Sequence, residues 1–161
     1  MSDIHISVQG FAKLKRELEE LKKERPAVIQ AIKEAREEGD LRENAGYDAA
    51  RERQGMLEAR ITYIESRLPQ CIVVDLDTMG GSKVAFGATV EIENMETGEH
   101  KRYTLLGPDE ADFNEGTISV YSPLAKALLG QEAGAAVEVN APRGQIYYEI
   151  LSVEFKGSQG K

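Results

Sequence analysis

In this 161-residue chain the side chains best suited to chemistry are two carboxylates, Asp40 and Glu43, three residues apart in the run Glu37-Glu38-Gly39-Asp40-Leu41-Arg42-Glu43-Asn44. That spacing has two readings. Acids beside a helix start can cap it and meet its dipole, or they can be functional groups held out for use. Other constellations are weak. His5 and His100 lie far apart with no cysteine or carboxylate at zinc spacing, so a dedicated metal cage is not expected. Gly80-Gly81-Ser82-Lys83 lacks the spacing of a phosphate-binding P-loop and reads as a linker or loop. No nucleophile has a plausible histidine partner, so the chain does not look like a self-sufficient enzyme.

The elements that must position the acid pair are written on either side of it. Residues 11–68 are rich in Glu, Lys, Arg, Leu and Ala, with a 3,4 spacing of mostly apolar positions that predicts a coiled coil. One arm reads Phe11, Leu14, Leu18, Leu21, Arg25, Val28, Ile32, Ala35, and the other Tyr47, Ala50, Gln54, Leu57, Ile61, Ile64, Leu68. Antiparallel arms require facing residues whose numbers have a constant sum. Ala35 with Tyr47, Ile32 with Ala50, Leu21 with Ile61 and Leu14 with Leu68 meet that condition, which centres the turn near Leu41. Gly39 suits the end of the first helix, and Asp40 with Glu43 forms a capping-box-like start for the second. An arm of roughly 26 residues is ~39 Å long, so the acids would stand at the far end of a probe. Pro26 should bend the first arm without breaking its seam. A rod that lifts two carboxylates this far has no evident stability purpose, whereas a site that must reach into a channel needs the reach.

From about Val84 the pattern changes to short alternating runs punctuated by turn residues, the signature of strands. Ala88–Glu93, Tyr103–Leu106, Val137–Val139 and Ile146–Phe155 predict a twisted antiparallel sheet. Ser122 as N-cap, Pro123 at the first helical position and Gly130 beyond Leu129 delimit one short helix. The fold class is α+β, with residues 1–75 forming the hairpin and 76–161 the sheet domain. Its composition restricts the partners. A net charge of −8 and a pI near 4.9 argue against a broad grip on a phosphate backbone, and 6% aromatic residues without Trp argue against a large aromatic pocket. Cys71, the single cysteine, cannot form an internal disulfide and reads as a small buried hydrophobe. No basic-then-apolar leader and no apolar run near ~18 residues is present, so the expected location is cytoplasmic.

The stretch Ala35-Arg36-Glu37-Glu38-Gly39-Asp40-Leu41-Arg42-Glu43-Asn44-Ala45-Gly46-Tyr47-Asp48-Ala49-Ala50-Arg51-Glu52 closely resembles the hairpin-tip signature of the GreA/GreB transcript cleavage factors. The resemblance extends to Phe86-Gly87-Ala88-Thr89-Val90, Gly107-Pro108-Asp109-Glu110-Ala111-Asp112 and Ile118-Ser119-Val120-Tyr121-Ser122-Pro123-Leu124-Ala125, nearly the whole chain. It implies an FKBP-like carboxy-terminal domain that docks at the rim of the secondary channel of bacterial RNA polymerase, and a coiled coil that enters the channel. Asp40 and Glu43 match the two acids that help hold a second Mg²⁺ jointly with the polymerase and orient the attacking water. Arg36 and Arg51 match a basic patch directed at the nascent RNA 3′ end, and Ser122 with Pro123 match a polymerase-docking segment. The implied activity is stimulation of the polymerase's own RNA cleavage in backtracked complexes. The arms have no broad basic stripe, which is nearer the A branch of the family. One residue departs from the pattern: the family usually has Glu where this chain has Gly46, a change that costs ~1 kcal/mol of helix propensity. Two other classes are compatible with parts of the chain: a channel-binding regulator that does not stimulate cleavage, and an FKBP-like folding helper whose usual pocket would need more aromatic residues.

Overall fold

The computed structural model describes residues 3–38 and 44–157, which form two compact units: one made of the chain up to Phe11 and from Cys71 onward, the other of Ala12–Gln70. The helices are α1, Val8–Arg36, and α2, Ala45–Arg67. The apolar stripe read from the sequence is the one that packs. Leu14, Val28, Ile32 and Ala35 of α1 and Ala50, Leu57, Ile61 and Ile64 of α2 are buried, with Leu18, Leu21 and Tyr47 partly covered beside them. The cross-arm partners match antiparallel arms: Arg25 makes a two-pronged bond to Glu58, with Nε to Oε2 and Nη2 to Oε1 both 2.8 Å, and Arg60 does the same to Glu17 at 2.7 and 2.9 Å. Arg25, the one charged residue in a mostly apolar seam, is thus accommodated by a carboxylate on the other arm. α1 runs through Pro26, which lies on an exposed face where water can satisfy the carbonyl that loses its donor.

In the other unit, β1 (Ile4–Ser7) pairs in parallel with β2 (Cys71–Val74), Ile4 opposite Cys71. Neither strand was legible as one, because four residues are too few to show a period. Cys71 is half-buried there rather than fully buried. The main sheet holds β3 (Ala88–Asn94), β4 (His100–Leu106), β5 (Thr117–Ser119), β6 (Ala136–Ala141) and β7 (Gly144–Phe155) in the order β5-β4-β3-β7-β6. The α+β class holds, and the expected antiparallel pairing holds for β4-β3-β7-β6. β5 differs. It joins β4 in parallel, because residues 107–116 carry the chain back along the sheet instead of turning a tight hairpin. The core lies between the sheet and α3 (Pro123–Leu128), where Val90, Ile92, Leu105, Leu128 and Ile150 are wholly buried. Thr89 of the central strand is also buried, and its hydroxyl meets that of Thr104 directly opposite at 2.7 Å.

Glu110 fastens the first turn of α1 to the sheet unit. Its carboxylate accepts from the Ser7 backbone N–H at 2.9 Å, from Gly107 N–H at 3.0 Å and from the Ser7 hydroxyl, while the Ser7 oxygen accepts from Gly10 N–H at 3.0 Å. The approach is too close for side chains: a Cβ at Gly10 would strike the Glu110 carboxylate, and one at Gly107 the His5 carbonyl.

Candidate functional site

Asp40 and Glu43, with Gly39 and the turn placed near Leu41, lie outside the described residues. What is described is how the chain leaves α1 and enters α2 on either side of them. The Glu37 N–H still reaches Lys33 O at 3.1 Å, while Glu38 N–H bonds Ala35 O at 3.2 Å, a shorter loop that closes the last turn. α2 is capped by Asn44, not by the Asp40–Glu43 pair that the sequence suggested. Its backbone is extended (φ −96°, ψ 94°), its side-chain oxygen accepts from Tyr47 N–H at 2.9 Å, and its side-chain NH₂ donates across to Ala35 O at 2.6 Å. The short amide can satisfy an orphan donor of α2 and a terminal carbonyl of α1 at once. Asn44 was visible in the sequence as a favoured N-cap type, but the Asp-to-Glu spacing drew the assignment four residues early.

Arg36 and Arg51 are brought together on Tyr47. Arg36, the last residue of α1, lies with its guanidinium carbon 5.9 Å from the Tyr47 ring centre. From the next turn of α2, Arg51 Nη1 donates to the Tyr47 hydroxyl at 3.3 Å. Hydrogen bonds from Arg36 first, then from Arg51, hold the Tyr47 hydroxyl below the ordinary phenol range. Both arginines are exposed. Arg51 therefore does not take the acid partner one turn away that its spacing would allow. Farther along the arms several basic residues face a carboxylate on the other arm: besides Arg25 and Arg60, Lys22 pairs with Glu65 at 3.0 Å and Arg53 reaches Glu24 at 4.0 Å.

Ser122 and Pro123 sit in the sheet unit at the start of α3. The Ser122 hydroxyl accepts from Ala125 N–H at 3.3 Å and donates to Ser119 O at 2.7 Å, and Pro123 occupies the first turn with its ring exposed. The expected cap is therefore formed. Tyr121 and Phe113, 43% and 68% exposed, add aromatic surface in the same unit that the sequence reading had not singled out. Among the described residues no three His, Cys, Asp or Glu side chains gather as a metal set, and no helix is long and apolar enough to cross a membrane.

Comparison with known proteins gives this architecture its class. The family model described as "Transcription elongation factor, N-terminal" matches residues 4–73, and that described as "Transcription elongation factor, GreA/GreB, C-term" matches residues 79–155. The chain belongs to the GreA/GreB family of transcription elongation factors. It is 68% identical to a protein named transcription elongation factor GreA from Nitratidesulfovibrio vulgaris (strain DP4), over 100% of this chain and 99% of that one. A protein of the same name from Solidesulfovibrio magneticus is 66% identical, over 98% and 96%. Among solved structures, the GreA factor homolog 1 of Thermus thermophilus is 25% identical, with 94% of this chain and 99% of that chain covered and a TM-score of 0.45.

Proposed function

We propose that this elongation factor inserts its hairpin into the secondary channel of RNA polymerase and stimulates Mg²⁺-dependent cleavage of the nascent RNA 3′ end in backtracked complexes, restarting arrested enzyme. The observation that carries the reading is the cap. Asn44 closes α2, so capping that helix no longer accounts for an acid pair on the segment joining the two arms. The donor chemistry suits the role. Mg²⁺ is commonly bound through one or two carboxylates together with waters and substrate phosphates, and a two-carboxylate set is too small to retain it alone. Asp40 and Glu43 would supply oxygen ligands to a Mg²⁺ that the polymerase and RNA also hold. An ion held there would lower the pKa of an attacking water and offset charge on the phosphodiester. The remaining work of the chain is positional: the arms deliver the two carboxylates, one of which orients the water, while Arg36 and Arg51 face the RNA.

Docking at the channel rim is assigned to the sheet unit, with Ser122 and Pro123 at the start of α3 as the contacting segment. On this reading the chain has no complete active site of its own, and the polymerase provides the rest. The test is to stall purified polymerase in a backtracked state and add the protein with Mg²⁺. Short 3′-terminal RNA fragments are expected, and none from the same RNA free in solution. Binding without fragments would favour the non-cleaving channel regulator, and catalysed proline isomerisation of a model peptide the folding helper.

A further inference from the structure

Two tyrosines of α2 each hold a pair of arginines: Tyr63 has Arg60 and Arg67 of its own helix over its ring at 5.2 and 5.3 Å, whereas Tyr47 takes one arginine from each arm. Along the arms each cross-seam cation described above is matched by a carboxylate: Arg25 by Glu58, Arg60 by Glu17, Lys22 by Glu65 and Arg53 by Glu24. Arg36 and Arg51 come from different arms and converge on one phenol, Arg36 against its ring and both acting on its hydroxyl. Among the described residues neither pairs with a carboxylate. Two like charges gathered on a neutral hydroxyl gain little by themselves, since they repel each other and a phenol oxygen is a weak substitute for an anion. Two exposed guanidinium groups held at one phenol instead offer donors suited to an acceptor with several oxygens, of which phosphate is the common example.

We propose that Tyr47 is a positioning residue that gathers Arg36 and Arg51 into one receptor for a single phosphodiester of the extruded RNA. This rests on the cleavage reading above and adds to it a specific residue and a specific ligand group. The lowered proton affinity of the Tyr47 hydroxyl accords with two cations pressing on its oxygen. Tyr47 is partly covered by the seam through its ring, so loss of the hydroxyl alone leaves the packing in place.

The experiment uses the full chain with backtracked polymerase carrying RNAs in which one linkage near the 3′ end at a time is a neutral methylphosphonate. With the unsubstituted RNA, Tyr47→Phe is expected to lower the maximal cleavage rate roughly tenfold, the size of effect of a lost bond to a charged group. The protein concentration for half-maximal effect and the melting temperature should not change. One methylphosphonate position should slow the wild type by a similar factor and Tyr47→Phe hardly at all. A separate arm needs no cleavage: in an Asp40→Asn background, photocrosslinking from a 3′-terminal 4-thiouridine should fall when Tyr47→Phe is added. Wild-type cleavage by Tyr47→Phe, or equal sensitivity of both proteins at every linkage, overturns the proposal. Normal cleavage by Asp40→Asn overturns the cleavage reading instead, and the crosslink then decides Tyr47 on its own.

Discussion

The two units use the same kinds of apolar residue in different ways. In the sheet unit Ile92, Leu105 and Ile150 are wholly buried between the strands and α3. In the hairpin the buried residues form a single row, Leu18 and Leu21 are only partly covered, and ion pairs flank the seam. The sheet unit is built as a core, and the hairpin is built for length. Its stability is therefore local and thin.

The largest effect that would sharpen this contrast is in the sheet. Ile92→Ala should cost about 4 kcal/mol, and chemical denaturation should show the whole sheet unit weakened. Ile61→Ala, equally large chemically, should cost about 2–3 kcal/mol because a seam one residue deep can partly close over the gap. Amide exchange should then accelerate in α1 and α2 while β3 and β7 stay protected, and loss of protection in both units at once would break the comparison. Smaller still is Gly46→Ala. Gly46 is exposed and an added Cβ would meet only the Asn44 side-chain oxygen, at 3.3 Å. The substitution should raise hairpin stability by about 0.5 kcal/mol, read as slower exchange in the first turns of α2.

The smallest effect is electrostatic. Hydrogen bonds from Arg25 to Glu58, and from Arg60 to Glu17, hold both carboxyls below their usual 4.5. Their contribution is complete above that value and is lost as pH falls through the lowered folded-state values. These pairs are exposed and screened by salt, so acidification from about pH 5 to pH 3 should loosen the hairpin only slightly. Glu58→Gln should remove part of that pH dependence, and an unchanged acid profile would show that the pair contributes nothing.

Much of this was legible in the sequence because it rests on local periodicity. The seam from Leu14 to Ile64 and the cap at Ser122 with Pro123 after it both follow from spacing and capping chemistry. What could not be read depends on residues distant in the chain. The pairing of Ile4–Ser7 with Cys71–Val74 joins short runs across the whole hairpin, and the Glu110 clasp on Ser7 joins residues 103 apart. The parallel placement of β5 depends on the path of residues 107–116. At the candidate site, Arg36 and Arg51 could be named, but not the phenol between them: Tyr47 was read as a seam residue, and only the packed hairpin shows both arginines in contact with it.

The most direct test of the central claim is RNA cleavage in backtracked polymerase by Asp40→Asn and Glu43→Gln, with polymerase binding measured on the same samples. The acid pair as the working end of the hairpin predicts that the short 3′-terminal fragments disappear while binding is retained. Fragments produced at the wild-type rate would contradict it and leave Asp40 and Glu43 without a catalytic part.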